Sequence, residues 1–185
     1  MSASLNGRRI AILVMDHFEQ VELTQPKREL EAAGATTVII SLHAEQVVGM
    51  NHDVKGERFD VDLPFDQARA DDFDAVLLPG GVFNADEIRN QVNAQKFVQD
   101  IVAQNKPVAV ICHGAWLLVS AGLVKGRTLT SWPSLEDDIV NAGGHWVNEE
   151  VHVDGLLISS RKPDDIPAFV RNFIDVLERQ PAYLS

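Results

Sequence analysis

Short apolar runs alternate with longer stretches of helical periodicity along this chain. Ile10–Met15 is continuously apolar and predicts a strand buried on both faces. Phe18–Ala33 has helical spacing and stops at Gly34, which suits a helix C′ position. Pro26 inside that stretch predicts a kink or a restarted helix. Thr36–Leu42 predicts a second strand. Between Glu45 and Leu63 alternation around Asn51-His52-Asp53 predicts a small hairpin excursion. Ala75–Leu78 is a strand running into Pro79-Gly80-Gly81, and Asn93–Gln104 an amphipathic helix. Val108–Ile111 is a strand, and His113–Ala121 a helix closed by Gly122. Pro133–Ala142 predicts a helix ending at Gly143-Gly144. Asp154-Gly155 marks a hairpin turn between Val151–Val153 and Leu156–Ser159. A last helix begins between Pro163 and Pro167 and runs to about Glu178.

Strands separated by helices predict an α/β fold, a parallel sheet covered on both faces, and such sheets bind ligands beyond the C-terminal ends of their strands. Three chemically notable segments fall there: Asp16–Glu19, Gly80-Gly81 and Cys112-His113.

The chain has 185 residues, enough for one domain with a substantial core. Residues 1–8 are expected to form a flexible N-terminal extension. A net charge of −11 argues against a basic face for nucleic acid or anionic membrane. The single cysteine excludes an intramolecular disulfide and fits a reducing cytosol, and the N-terminus lacks the apolar core of a signal peptide. The histidines show no metal-ligand spacing.

That lone cysteine sits in Val108-Ala109-Val110-Ile111-Cys112-His113-Gly114-Ala115-Trp116, a strand, a sharp turn and a helix. Such a turn lifts a nucleophile clear of the sheet, a helix N-terminus lowers a thiol pKa, and His113 supplies a base. A lone cysteine is also an ordinary small core residue. Glu19 has two readings. Asp16-His17-Phe18-Glu19 has capping-box spacing. Alternatively the Glu19 carboxyl sits beside Cys112, protonated because a carboxylate would repel a thiolate. Gly80-Gly81 is a tight turn or, through Gly81 N–H with His113 N–H, an oxyanion hole. Asp86 suits a helix cap or first turn.

Phe18-Glu19-x-x-Glu22-Leu23, Leu78-Pro79-Gly80-Gly81, Val110-Ile111-Cys112-His113-Gly114, Thr130-Ser131-Trp132-Pro133-Ser134 and Ser160-Arg161-Lys162-Pro163-Asp164-Asp165 together resemble the ThiJ/PfpI superfamily, in its PfpI or general-stress-protein branch. The superfamily includes the parkinsonism-associated deglycase and archaeal intracellular protease I. The resemblance runs from Arg9 to about Glu178. It implies a flavodoxin-like sandwich related to class I glutamine amidotransferases. Within it, Cys112 is the nucleophile, Glu19 its protonated partner, and Gly81 and His113 the oxyanion hole. An acid from a neighbouring subunit would orient His113; Asp86 matches that position, with one inserted residue and Asp in place of Glu. The resemblance further implies no cofactor, a homodimer or an assembly of dimers, and a cytoplasmic stress-defence enzyme acting on small reactive carbonyls or glycated proteins. The alternatives are a cysteine peptidase and a non-enzymatic redox sensor or chaperone that uses oxidation of Cys112.

Overall fold

The computed structural model describes residues 4–181. Its centre is a seven-stranded sheet of β1 (Arg9–Leu13), β2 (Thr36–Ser41), β3 (Leu63–Pro64), β4 (Ala75–Leu78), β5 (Val108–Ile111), β6 (Val151–Asp154) and β7 (Leu157–Ser160), in the spatial order β6-β7-β5-β4-β1-β2-β3. All neighbours are parallel except β6, which pairs antiparallel with β7.

Side chains alternate in two directions from each strand, and both directions are buried. Ala11, Leu13, Val76, Leu78, Val108 and Val110 face one core, with Phe97, Val98 and Ile101 of helix α3 (Val92–Ala103) and Leu117 and Leu118 of α4 (Ala115–Ser120). Ile10, Ile12, Ala75, Leu77, Ala109 and Ile111 face the other. That second core is closed by Leu23 and Leu30 of α1 (Gln20–Ala32) and Phe169 and Phe173 of α5 (Ile166–Arg179). A three-layer α/β/α sandwich results. The chain winds outward from β1 through β2 to β3, then continues from β4 on β1's other side. The order in which strands are added therefore reverses between β1 and β4, the place where such sheets open a crevice at their strand ends.

The hairpin excursion is present. Gln46–Asn51 and Val54–Asp60 pair antiparallel, and the short strand Phe18–Glu19 adds to them through Gly49 and Met50. Three expectations need correction. Helix α1 begins at Gln20 and runs unbroken past Pro26 to Ala32, so proline forfeits its ladder bond without ending the helix. The turn between β6 and β7 is Gly155-Leu156, one residue later than expected, because Asp154 pairs with Leu157. The flexible extension fails over residues 4–8: Leu5 is fully buried and its N–H donates to Ala33 O at 2.8 Å. Residues 1–3 lie outside the described residues. Among those described, no helix is long and apolar enough to cross a membrane.

Gly114 locks β4 to β5. A Cβ there would stand 2.7 Å from Leu78 O and 3.0 Å from Pro79 O, and neither backbone atom can rotate away. Gly114→Ala is expected to destabilise the fold by about 1–3 kcal/mol, read from a urea midpoint. An unchanged midpoint would mean that the two strand ends are not so closely packed.

Candidate active site

Cys112 follows β5 with φ of +61°, in a single 3-10 turn that leads into α4. Non-glycine residues seldom take this conformation, and it turns the side chain sharply out of the strand direction. Trp132 N–H donates to the Cys112 carbonyl at 3.1 Å and steadies the turn.

Glu22, in the first turn of α1, is fully buried against this thiol. Its Oε1 accepts the Gly80 N–H at 2.8 Å, Oε2 has no hydrogen-bond partner among the described residues, and the carboxyl lies beside the Cys112 side chain. The fit requires glycine at 80, since a Cβ there would stand 2.6 Å from Glu22 Oε1 and 2.7 Å from Cys112 Cβ. Burial pushes the Glu22 carboxyl up to about 8 against the pull of the Gly80 N–H, and the neighbouring Glu19 charge adds to the push. At neutral pH Glu22 therefore meets the sulfur as a protonated acid.

Burial also pushes the Cys112 thiol well above its ordinary range, and an ionised Glu22 pushes it further; the N–H groups of His113 and Gly81, both hydrogen-bonded to the sulfur, pull it down. The lowered thiol pKa expected from a helix N-terminus is thus outweighed by burial. A protonated Glu22 removes the like charge and adds a third donor facing the sulfur.

His113 Nδ1 lies 3.3 Å from the sulfur. Its ring stacks on Trp132 at 5.5 Å and meets Trp116 edge-on at 5.4 Å. Trp116 is held in turn: its Nε1 donates to Asp138 at 2.8 Å and the Arg89 guanidinium lies over its ring. Burial between these groups pushes His113 down to about 4, so the ring is neutral and able to take a proton from the thiol. Among the described residues no carboxylate hydrogen-bonds this ring.

Cys112, His113, Glu22 and Gly81 open on one cavity of about 220 Å³. Glu19, His52, His17, Phe83 and Trp132 also line it. Among the described residues, no group of three or more His, Cys, Asp or Glu could hold a metal ion.

Two expected residues are placed differently. The carboxyl at the sulfur is that of Glu22, not Glu19. Glu19 belongs to a short strand ahead of the helix, and both its oxygens accept the His52 N–H, at 3.2 and 3.3 Å. Nor does Glu19 close a capping box: it makes no side-chain cap, and Asp16 accepts the Val48 N–H instead. Asp86 is exposed in the second turn of α2 (Val82–Ile88), neither a cap nor a lining residue of the cavity. A signal for Glu22 was present. Glu22, Pro26 and Leu30 share the buried stripe of α1 at a spacing of four, and a carboxylate on such a stripe is the informative exception.

A sequence profile described as the DJ-1/PfpI family matches residues 8–176. The chain is 39% identical over 170 residues to a deglycase of Pyrococcus abyssi, covering 92% of this chain and 99% of that one. It is 38% identical to YraA of Bacillus subtilis, whose name offers it as a candidate cysteine protease, covering 93% and 99%. The structure of Drosophila melanogaster DJ-1beta superposes with a TM-score of 0.84 at 25% identity, over 99% of this chain and 94% of that one. The sandwich is the flavodoxin-like one of these proteins.

Protonation of Glu22 has a consequence for stability. Its value rises from the ordinary 4.5 to about 8 on folding, so stability is full below about pH 4.5 and declines as pH rises towards 8. His113 falls from 6.5 to about 4, so its contribution grows with pH up to about 6.5 and then stays level. Above that point only the Glu22 slope remains. Between pH 6.5 and 8 the protein is expected to lose up to about 2 kcal/mol, measured by denaturant unfolding. Glu22→Gln, which keeps shape and an acceptor, should flatten that stretch; equal slopes in the two proteins would contradict a protonated Glu22.

Proposed function

The chain belongs to the DJ-1/PfpI family, and from that premise we propose that it is a cofactor-independent cysteine enzyme acting on reactive carbonyls or early glycation adducts. The observation that carries this reading is the surrounding of one sulfur by a neutral imidazole, a buried acid and two main-chain N–H groups.

The thiol adds to the carbonyl carbon as its proton passes to His113. The carbonyl oxygen becomes an oxyanion, received by the N–H groups of Gly81 and His113, and is then protonated. In the free protein both donors bond to the sulfur; once the sulfur has attacked, the backbone turns that hold them there keep them beside the new oxyanion. Glu22 holds the sulfur without adding a second negative charge. A cavity of about 220 Å³ suits a small dicarbonyl or the modified end of a side chain. One observation favours peptidase action as a second reading. A groove of about 400 Å³ shares His17, Met50 and Phe83 with the cavity and extends past Asp53, Lys55 and Glu87, giving room for a longer chain.

Turnover of methylglyoxal, a glycated peptide and an unmodified peptide should separate these. Carbonyl activity is expected, lost in Cys112→Ala. Cleavage of the unmodified peptide alone would favour the peptidase.

The enzyme works as a homodimer or an assembly of dimers in the cytoplasm, in stress defence, with Asp86 of the partner subunit accepting the His113 ring N–H. The support is the absence of a carboxylate partner for that ring within the described residues and the exposure of Asp86. Asp86→Asn should slow turnover while leaving folding intact. Mixing it with Cys112→Ala under subunit exchange should restore part of the activity, because some sites then combine a native Cys112 with a native Asp86. No recovery, with exchange verified by native mass spectrometry, would place Asp86 outside the site.

A further inference from the structure

Among the described residues four non-glycine positions have positive φ: His17 at 65°, His52 at 58°, Asn105 at 55° and Cys112 at 61°. Three of them line the cavity above the sulfur. Backbone conformations of this kind cost energy and gather where function holds them in place. The nucleophile turn accounts for the backbone of Cys112 and the two-residue hairpin turn for that of His52, but the turn does not account for a histidine side chain there.

His52 sits at the tip of the hairpin, between Asn51 and Val54, where glycine or asparagine would fit with less strain. Its backbone is anchored. Both oxygens of Glu19 accept its N–H, and Glu19 Oε1 stands 3.6 Å from ring Nδ1. Glu19 N–H donates in turn to Gly80 O at 3.2 Å, beside the Gly81 turn. His52 is thus tied through its main-chain N–H and Glu19 to the turn that faces the sulfur, while 83% of its side chain stays exposed. A carboxylate facing Nδ1 favours the tautomer with a proton on that nitrogen and leaves Nε2 free.

We propose that His52, held by Glu19, is a second acid–base residue of this site, serving the carbon adjacent to the one that Cys112 attacks. The proposal rests on the carbonyl reading above and narrows it to substrates in which an aldehyde stands next to a second carbonyl. After addition, C1 carries the sulfur, a hydroxyl and a hydrogen, and C2 is still a carbonyl. Loss of the C1 proton to a base, with delivery of a proton to the C2 oxygen, gives an enediol. Loss of the C1 hydroxyl proton and protonation of C2 carbon then give a thioester of a 2-hydroxy acid. C1 is oxidised as C2 is reduced, so no outside oxidant is needed, and water releases the acid and the thiol. His113 stands beside the sulfur and serves C1. Protons at C2 need a group other than the one beside the sulfur, and His52 lines the same cavity from the hairpin.

The test compares wild type and His52→Gly with methylglyoxal. Glycine accepts the positive φ, so the melting temperature should hold or rise. Loss of the imidazole should lower kcat about 10- to 100-fold. The alkylation rate of Cys112 by iodoacetamide should be unchanged, and added imidazole should restore part of the lost kcat. Glu19→Gln should give a smaller fall. Wild-type kcat in His52→Gly, or a raised KM alone, overturns the proposal while leaving the carbonyl reading standing. A wild-type protein inactive on methylglyoxal and on the glycated peptide overturns that reading, and this inference with it.

Discussion

A carboxyl and a thiol share one dry place at the end of the sheet, and they cannot both ionise there. Two like charges in contact, away from water, would cost more than the neighbouring N–H groups return. Glu22 answers the constraint by keeping its proton to about pH 8. The acid then presents a proton where its conjugate base would repel, and the sulfur meets no second negative charge.

Much of the local structure serves this contact. Gly80 is needed because no Cβ fits between Glu22 and Cys112, and its N–H occupies Glu22 Oε1. Gly81 turns at φ of +89°, which places its N–H on the sulfur and lets the Phe18–Glu19 segment pass close by. The positive φ of Cys112 moves the thiol out of the line of β5. Trp132 stacks on His113, and its main-chain N–H holds the Cys112 carbonyl. One residue therefore supports both the ring and the strained turn.

The sheet was legible because its strands are buried on both sides: Ala75–Leu78 and Val108–Ile111 are uninterrupted apolar runs bounded by turn residues, and they form as expected. Cys112, His113 and Gly81 were legible because strand ends in such a sheet converge. Glu19 misled because it follows the first strand directly, at the end of the sheet where the site lies, whereas the carboxyl that reaches the sulfur is that of Glu22, three residues further on in the helix. The stripe of Glu22, Pro26 and Leu30 held the better signal, but that requires reading a charged residue as part of a buried face. Asp86 is exposed on its helix and nothing among the described residues ties it to the site, so no local pattern within one chain assigns it a role. Leu5 was hidden in a polar run, and only the packing of the Ala33 corner calls it inward.

The account stands on the proton carried by Glu22. Infrared difference spectroscopy of wild type minus Glu22→Gln at neutral pH observes that proton directly. A protonated carboxylic acid band present in wild type, absent in the variant and fading as the pH is raised past about 8 is the predicted result. A difference spectrum showing only ionised carboxylate at neutral pH would contradict it.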